Sequence, residues 1–389
     1  MAEGRILTSH VGSLVRPAAF AELLQRRKEG GAVPQFDDAL REAVAAVVSK
    51  QVEVGIDIVS DGEFGKGIGW EQYVIERLSG FSEPKAPPLA ASGRVIPPWG
   101  DFGKFPEFYA ELMRAEHYEE RPFRCTSAIS YTGHAALKRD IANLRAAVAA
   151  ANAYAGFLPV VAPASAIAMS PNEFYKSEEE YVHAAAEALR VEYQTILDSG
   201  LRVQIDDAHL PFAYDRMVPP ASEEDYQMWA GLRIDALNHA LRGLDTSRIR
   251  YHICWGSWNG PHTRDVPLKK IIGLLLKLNV AGYAIEAANA RHEHEWKVWT
   301  EVKLPEGRFL MPGVVSHQTN VVEHPELVAE RIVRFAKLVG RDNVIAGTDC
   351  GFAQGPFVRR VHETIMWAKL GSLVEGARLA TAELWGRSI

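Results

Sequence analysis

Cysteine is scarce in this chain, with three in 389 residues: Cys125, Cys254 and Cys350. Three thiols cannot build a disulfide framework, and they suggest a reducing, cytoplasmic compartment, where thiols that meet more often hold a metal. Surplus positive charge is missing too. A net charge of −6 leaves no excess of cations for nucleic-acid phosphates or an anionic membrane surface, so neither is an expected partner. The opening segment MAEGRILTSHVGSL has no basic stretch followed by an apolar core, so neither secretion nor organelle import is expected. The longest uncharged stretch, 146–172, contains Asn152, Pro159, Pro163, Ser165 and Ser170, which argue against a membrane span. No low-complexity tract, charge block or internal repeat divides the chain. What is present is ordinary globular material, 47% hydrophobic and 24% charged.

Short β-branched runs alternate with helical patterns along the chain. Strands are predicted at Ile6–Ser13, Ile56–Asp61, Arg124–Tyr131, Phe157–Ser165, Arg202–Asp207, Ile249–Cys254, Ala281–Glu286, Phe309–Ser316 and Asn343–Thr348. Helices are predicted at Phe36–Val54, Glu178–Asp198, Glu223–Leu241, Pro267–Leu278, Pro325–Val339 and from about His362 to Trp385. Repeated strand-then-helix units imply a parallel sheet, and about eight of them favour a closed (β/α)8 TIM barrel, class α/β. One strand is then surplus. The Pro- and aromatic-rich segment from Phe81 to Phe123 lacks helical periodicity, so Arg94–Pro97 and Arg124–Tyr131 are read as an excursion over 81–131, a hairpin inserted into one barrel domain spanning 1–389.

The sharpest chemical signal is Tyr251-His252-Ile253-Cys254 at a predicted strand end. Side chains at i and i+2 share a strand face, so His252 and Cys254 can bind one ion together. Another strand ends in Glu286 and another in Asp349-Cys350; a barrel brings such ends to one rim. Imidazole, two thiolates and a carboxylate make a tetrahedral zinc set. On spacing alone, a chance His-x-Cys with cysteines acting as small buried hydrophobes remains the alternative, since no CxxC pair is present.

Seven motifs in order add weight: Ser9-His10-Val11-Gly12-Ser13, Asp61-Gly62-Glu63-Phe64, Gln204-Ile205-Asp206-Asp207, His252-Ile253-Cys254, Ala284-Ile285-Glu286, Met311-Pro312-Gly313-Val314-Val315-Ser316-His317 and Asp349-Cys350-Gly351. Together they resemble the cobalamin-independent methionine synthases and their shorter single-barrel relatives, which include an epoxyalkane:coenzyme M transferase. The resemblance implies a zinc-dependent transferase, a methyltransferase in its leading form, that alkylates a small-molecule thiol such as homocysteine. His252, Cys254, Glu286 and Cys350 are the implied ligands. An imidazole, two thiolates and a carboxylate more than cancel the charge of the ion, which suits ionising a thiol while leaving its sulfur nucleophilic. Glu286 is the natural ligand to exchange for substrate sulfur.

The resemblance also implies substrate contacts: Glu63 and Asp206 for an amino group, and Ser13, after Gly12, for a carboxylate. Without it, Glu63, Asp206 and Asp207 read as helix caps. His317 matches a family histidine placed to donate a proton, work for which an imidazole is suited near neutral pH. One departure stands out. Met169 occupies the position of a family Trp that packs against folate, so the alkyl donor is expected to be smaller, or delivered by a protein. The alternatives are addition of the thiol to an epoxide, a zinc hydrolase, and a non-enzymatic thiol or metal carrier.

Overall fold

The computed structural model describes residues 4–67, 69–70, 72–83, 100–115 and 123–386. Eight parallel strands form the centre: β1 Leu7–Thr8, β2 Ile58–Ser60, β3 Ala155–Val161, β4 Arg202–Asp207, β5 Ile249–Ile253, β6 Gly282–Ile285, β7 Phe309–Val315 and β8 Ile345–Thr348. Their order is β1-β8-β7-β6-β5-β4-β3-β2. A parallel bridge from Ser9 to Ile58 joins the two ends, making the sheet a TIM barrel. That seam is held largely by side chains. Asp57 accepts from the Thr8 amide at 2.9 Å and from the Arg5 guanidinium at 2.6 and 2.9 Å, and Ser9 Oγ donates to the Ile58 carbonyl.

The strands are short, buried apolar runs, as parallel strands covered by helices must be. Helices Phe36–Val54, Glu178–Asp198, Glu223–Leu241 and Pro325–Val339 keep their predicted bounds, while the other two run Leu268–Leu275 and Glu363–Trp385. Their ends carry the reasons. Ser177 Oγ accepts from the Glu180 amide beneath three acidic residues, and Ser222 with Asp225 forms a capping box. Each helix turns an apolar stripe inward; that of Pro325–Val339 is Val328, Ile332 and Phe335. Inside the barrel lies a second, smaller core of Leu7, Val11, Ile58, Phe157, Cys254, Ala284, Met311, Ile345 and Cys350. Its upper members are the two cysteines of interest.

The excursion differs from its reading. Arg94–Pro97 lies outside the described residues. Of Arg124–Tyr131, Arg124–Cys125 is a strand, paired antiparallel with Phe81–Ser82 away from the barrel sheet. The region also holds helices Gly100–Lys104 and Pro106–Ala115, which the proline content had hidden. They lie against the β5 loop: Asp101 accepts from the Thr263 amide, and Tyr109 OH accepts from the Trp258 indole at 3.3 Å. No helix among the described residues is long and apolar enough to cross a membrane.

Candidate metal centre and thiol site

Because β5 ends at Ile253, the backbone leaves the ladder just as it presents Cys254, and β8 ends two residues before Cys350. The consequence is convergence. One ligand atom each from His252, Cys254 and Cys350 lies within 4.8 Å of the others, all three residues are buried, and the two sulfurs are 3.3 Å apart. Among the described residues no other His, Cys, Asp or Glu group of three is so placed. Cys125 is elsewhere, on the outer ladder. Ser257 Oγ donates to Cys350 Sγ at 3.0 Å and the Gly256 amide to Cys254 Sγ at 3.3 Å. The close sulfurs share a proton. Accepting from Cys254, with His317 and His252 nearby, holds Cys350 well below the ordinary thiol range; donating, together with burial, pushes Cys254 well above it.

Glu286, the fourth ligand named from the sequence, does not join the cluster. Its Oε1 accepts from the Trp255 amide at 2.9 Å and its Oε2 from Asn289 Nδ2 at 2.7 Å. Burial, with Asp349 and Cys350 near, raises its carboxyl well above the usual range against the pull of His292. Asp349 braces the same turn by accepting from the Ala287 and Ala288 amides at 2.8 and 2.9 Å. Both nitrogens of His252 lack a hydrogen bond among the described residues, as do both of His317. A fully buried imidazole without a partner is rare. Burial lowers His317 to about 4, with Cys350 pulling the other way, so it stands as a neutral ring.

The carboxylates occupy the neighbouring face. In register Asp206 stands beside His252, so residues 204, 206, 250 and 252 line one inner surface. Asp207 points the other way, where it accepts from Ser165 Oγ, Tyr251 OH and the Leu210 amide in the first turn of the next helix; Asp206 makes no such contact. Asp206 instead accepts from Gln204 Nε2 at 2.7 Å. Gln204 Oε1 is held by Arg250 Nε at 2.7 Å, and Arg250 reaches on to Ser9 Oγ and the His10 carbonyl. Glu63 sits at φ 63, a left-handed backbone uncommon for a non-glycine residue. Its carboxylate pairs with Lys66 Nζ at 3.4 Å. Burial raises both carboxyls, and each responds to the charges of Lys66 and Cys350.

Gly12, at φ +127, closes this face. A Cβ there would stand 2.9 Å from Pro159 Cγ and 3.2 Å from Glu63 Oε1. Ser13 follows, its carbonyl accepting from the Phe352 amide at 2.9 Å and its Oγ from the Ala353 amide at 3.3 Å, which ties the first turn to the Cys350 loop. Met169 is 42% exposed, so no indole platform stands there. Trp255 is a packing residue, its indole donating to the Val266 carbonyl. Lys66, Arg250, Ser257 and Asn289 were not singled out from the sequence, and Gln204 entered only within a motif, without a role; Gln204 and Arg250 could have been given one, lying two residues before Asp206 and His252 on the same strand face.

Fold and site thus define a (β/α)8 protein with a buried His-Cys-Cys cluster at the strand ends, flanked by two carboxylates. The model of the cobalamin-independent synthase catalytic domain matches residues 159–378, more than half of the chain, and the chain belongs to that family. A methionine synthase of Sulfolobus acidocaldarius is 27% identical, covering 97% of this chain and 93% of its own length. The uncharacterized protein YxjH of Bacillus subtilis is 26% identical, covering 94% and 92%. A B12-independent methionine synthase structure from Shewanella sp. W3-18-1, in complex with selenomethionine, shares the fold with a TM-score of 0.74 at 20% identity, covering 98% and 99%. A putative enzyme of the same kind from Listeria monocytogenes gives 0.69 at 19% identity over the whole of both chains.

Proposed function

We propose that this protein is a zinc-dependent methyltransferase that ionises a small-molecule thiol and alkylates its sulfur. The observation that carries the reading is the buried trio of His252, Cys254 and Cys350, with sulfurs 3.3 Å apart and an imidazole whose nitrogens have no other hydrogen-bond partner among the described residues. Such donors fit zinc, whose structural and catalytic sites are built from imidazole nitrogen and thiolate sulfur. His252, Cys254 and Cys350 would hold the ion, with Glu286 beside them. Bound zinc would supply the deprotonation of an incoming thiol at neutral pH, where a free thiol of pKa near ~8.5 is mostly protonated. The relatives named as methionine synthases support methyl transfer as the alkylation.

The protein's own residues do the rest. Ser257 and the Gly256 amide direct hydrogen bonds at the two sulfurs and fix their orientation. Asn289 and the Trp255 amide hold Glu286 beside the trio, a carboxylate ready to yield to or accept a position. Ser13, Glu63 and Asp206 form the wall against which the thiol's own polar group would rest. His317 makes no hydrogen bond among the described residues; to serve as proton donor to the leaving group it would first take up a proton, which the charge of Cys350 favours and burial opposes.

Metal analysis tests the reading. Purified protein should contain close to one zinc per chain, and Cys254→Ser and Cys350→Ser should each lose it while keeping the far-UV circular dichroism of the barrel. Full zinc in both variants would sink the assignment. The donor is tested separately. With Met169 exposed in place of an indole, methyltetrahydrofolate lacks a stacking surface of the kind worth about one kcal/mol or more. It should turn over more slowly than a smaller or protein-carried methyl donor; equal rates would overturn that expectation.

A further inference from the structure

Two buried carboxylates beside an anionic metal cluster demand positive charge. If that charge came from the substrate, Glu63 and Asp206 would stand uncompensated until an ammonium arrived. They do not. Lys66 Nζ lies 3.4 Å from Glu63 Oε1, with the two side chains only 8% and 6% exposed. The ammonium rests over the Tyr73 ring at 4.3 Å and makes no hydrogen bond among the described residues, so its Glu63 contact is what holds it on this wall. Arg16 stands behind, its Nη2 donating to the backbone carbonyls of Glu63 and Lys66. Arg250 stands below Asp206 through Gln204. Even with Asp61, which accepts from the Glu63 amide, the three acids Asp61, Glu63 and Asp206 face three cations, Arg16, Lys66 and Arg250. In number these cations already match the carboxylates, and Glu63 is the one in direct ion-pair contact.

A substrate ammonium would have to displace Lys66, and the space behind it does not admit that. The cavity there, lined by Asp61, Arg77, Asp140 and Glu192 among others, is about 20 Å³, near the room of one water. Two of its acids are already met: Arg77 pairs with Asp140 at 2.5 Å and with Glu192 at 2.6 Å. A lysine pushed inward would exchange Glu63 for Asp61, which Arg16 already faces.

We infer that Lys66 takes the place of a substrate amino group, and that the acceptor is an anionic thiol without an ammonium, a mercapto acid whose carboxylate lies between Lys66 and the Ser13 hydroxyl. This rests on the thiol-alkylating reading above and narrows it. Lys66 is here a specificity-determining residue, set by the Asp61-Gly62-Glu63 turn that brings residue 66 back over residue 63.

Calorimetry on the zinc-loaded protein tests it with two thiols of one carbon skeleton, homocysteine and 4-mercaptobutanoate. The unmodified protein should bind 4-mercaptobutanoate at least as tightly as homocysteine. Lys66→Met should move the ratio of the two affinities tenfold or more toward homocysteine. Should that variant fold poorly, the neutral double change Glu63→Gln with Lys66→Met removes the ion pair as a unit and should shift the ratio the same way, with Asp206 then free to meet an ammonium. Homocysteine binding tenfold more tightly to the unmodified protein, or a ratio unmoved in both variants, overturns the inference and leaves the thiol-alkylating reading standing. No heat from either thiol in a protein carrying its zinc overturns both.

Discussion

His10 shows how one side chain sets a pH limit on the fold. Its Nε2 meets Gln51 Oε1 at 2.7 Å while its Nδ1 accepts from the Gly12 amide at 3.1 Å, an arrangement open only to the neutral ring protonated on Nε2. Burial accordingly pushes its pKa down to about 4 from 6.5. Since the unfolded chain binds the proton first, this share of stability is present above pH ~6.5 and is lost as pH falls toward 4, a loss on the order of 3 kcal/mol. Urea denaturation at pH 7 and pH 5 should record it, and His10→Asn should flatten the acid slope; an unchanged slope would put the titration elsewhere. His317 permits a different test. His317→Asn should leave zinc content untouched and lower kcat by roughly 10²- to 10⁴-fold, the range of a lost general acid. Loss of zinc would instead make His317 a holder of the cluster. Of these residues His317 was marked by its likeness to a family histidine, whereas Lys66 was invisible in the sequence, because its meeting with Glu63 depends on a left-handed turn that composition does not announce.

Among elements, strands and helices were legible to different degrees. Four helices kept their predicted bounds because their caps and apolar stripes are written locally, as at Ser177 and Ser222. Most strands proved shorter than read, and the shortfall has a pattern at their carboxyl ends. Ser13, Cys254, Glu286 and Ser316 were each placed at the end of a strand; the last three lie just beyond the paired segment, and Ser13 lies in the turn that follows Thr8. Periodicity continues through these residues, but the backbone turns out of the ladder to aim them at the site. The two helices at 100–115 escaped notice because aromatic and proline residues there serve contacts with the β5 loop, such as Tyr109 with Trp258, rather than a regular stripe. The β1 turn offers an element-scale prediction. Gly12→Ala forces a Cβ toward Pro159 and Glu63 at a positive φ, and should cost about 1–3 kcal/mol in stability. Thiol binding should weaken while zinc content holds; full affinity would mean the turn has no part in the acceptor wall.

For the molecule as a whole, the join between β1 and β2 is the narrowest part of the barrel, resting on one bridge and on side chains, those of Asp57, Thr8 and Ser9. Asp57→Ala would strand the Thr8 amide, while Thr8 Oγ1 keeps the Gly55 carbonyl, and should cost about 1–3 kcal/mol. Hydrogen exchange should then quicken first at Thr8 and Ile58; uniform loss of protection would mean the barrel has no weak seam. The strand order has a consequence in time. A ribosome delivers Glu63 early, Asp206 midway and Cys350 late, yet β8 must slot between β1 and β7 before Cys350 can reach Cys254. Until then a nascent chain offers a metal only the His252–Cys254 pair, half of a tetrahedral set. On the proposed function, firm capture of the ion would therefore follow closure of the barrel, and zinc retained through purification would serve as a tally of chains that have completed it.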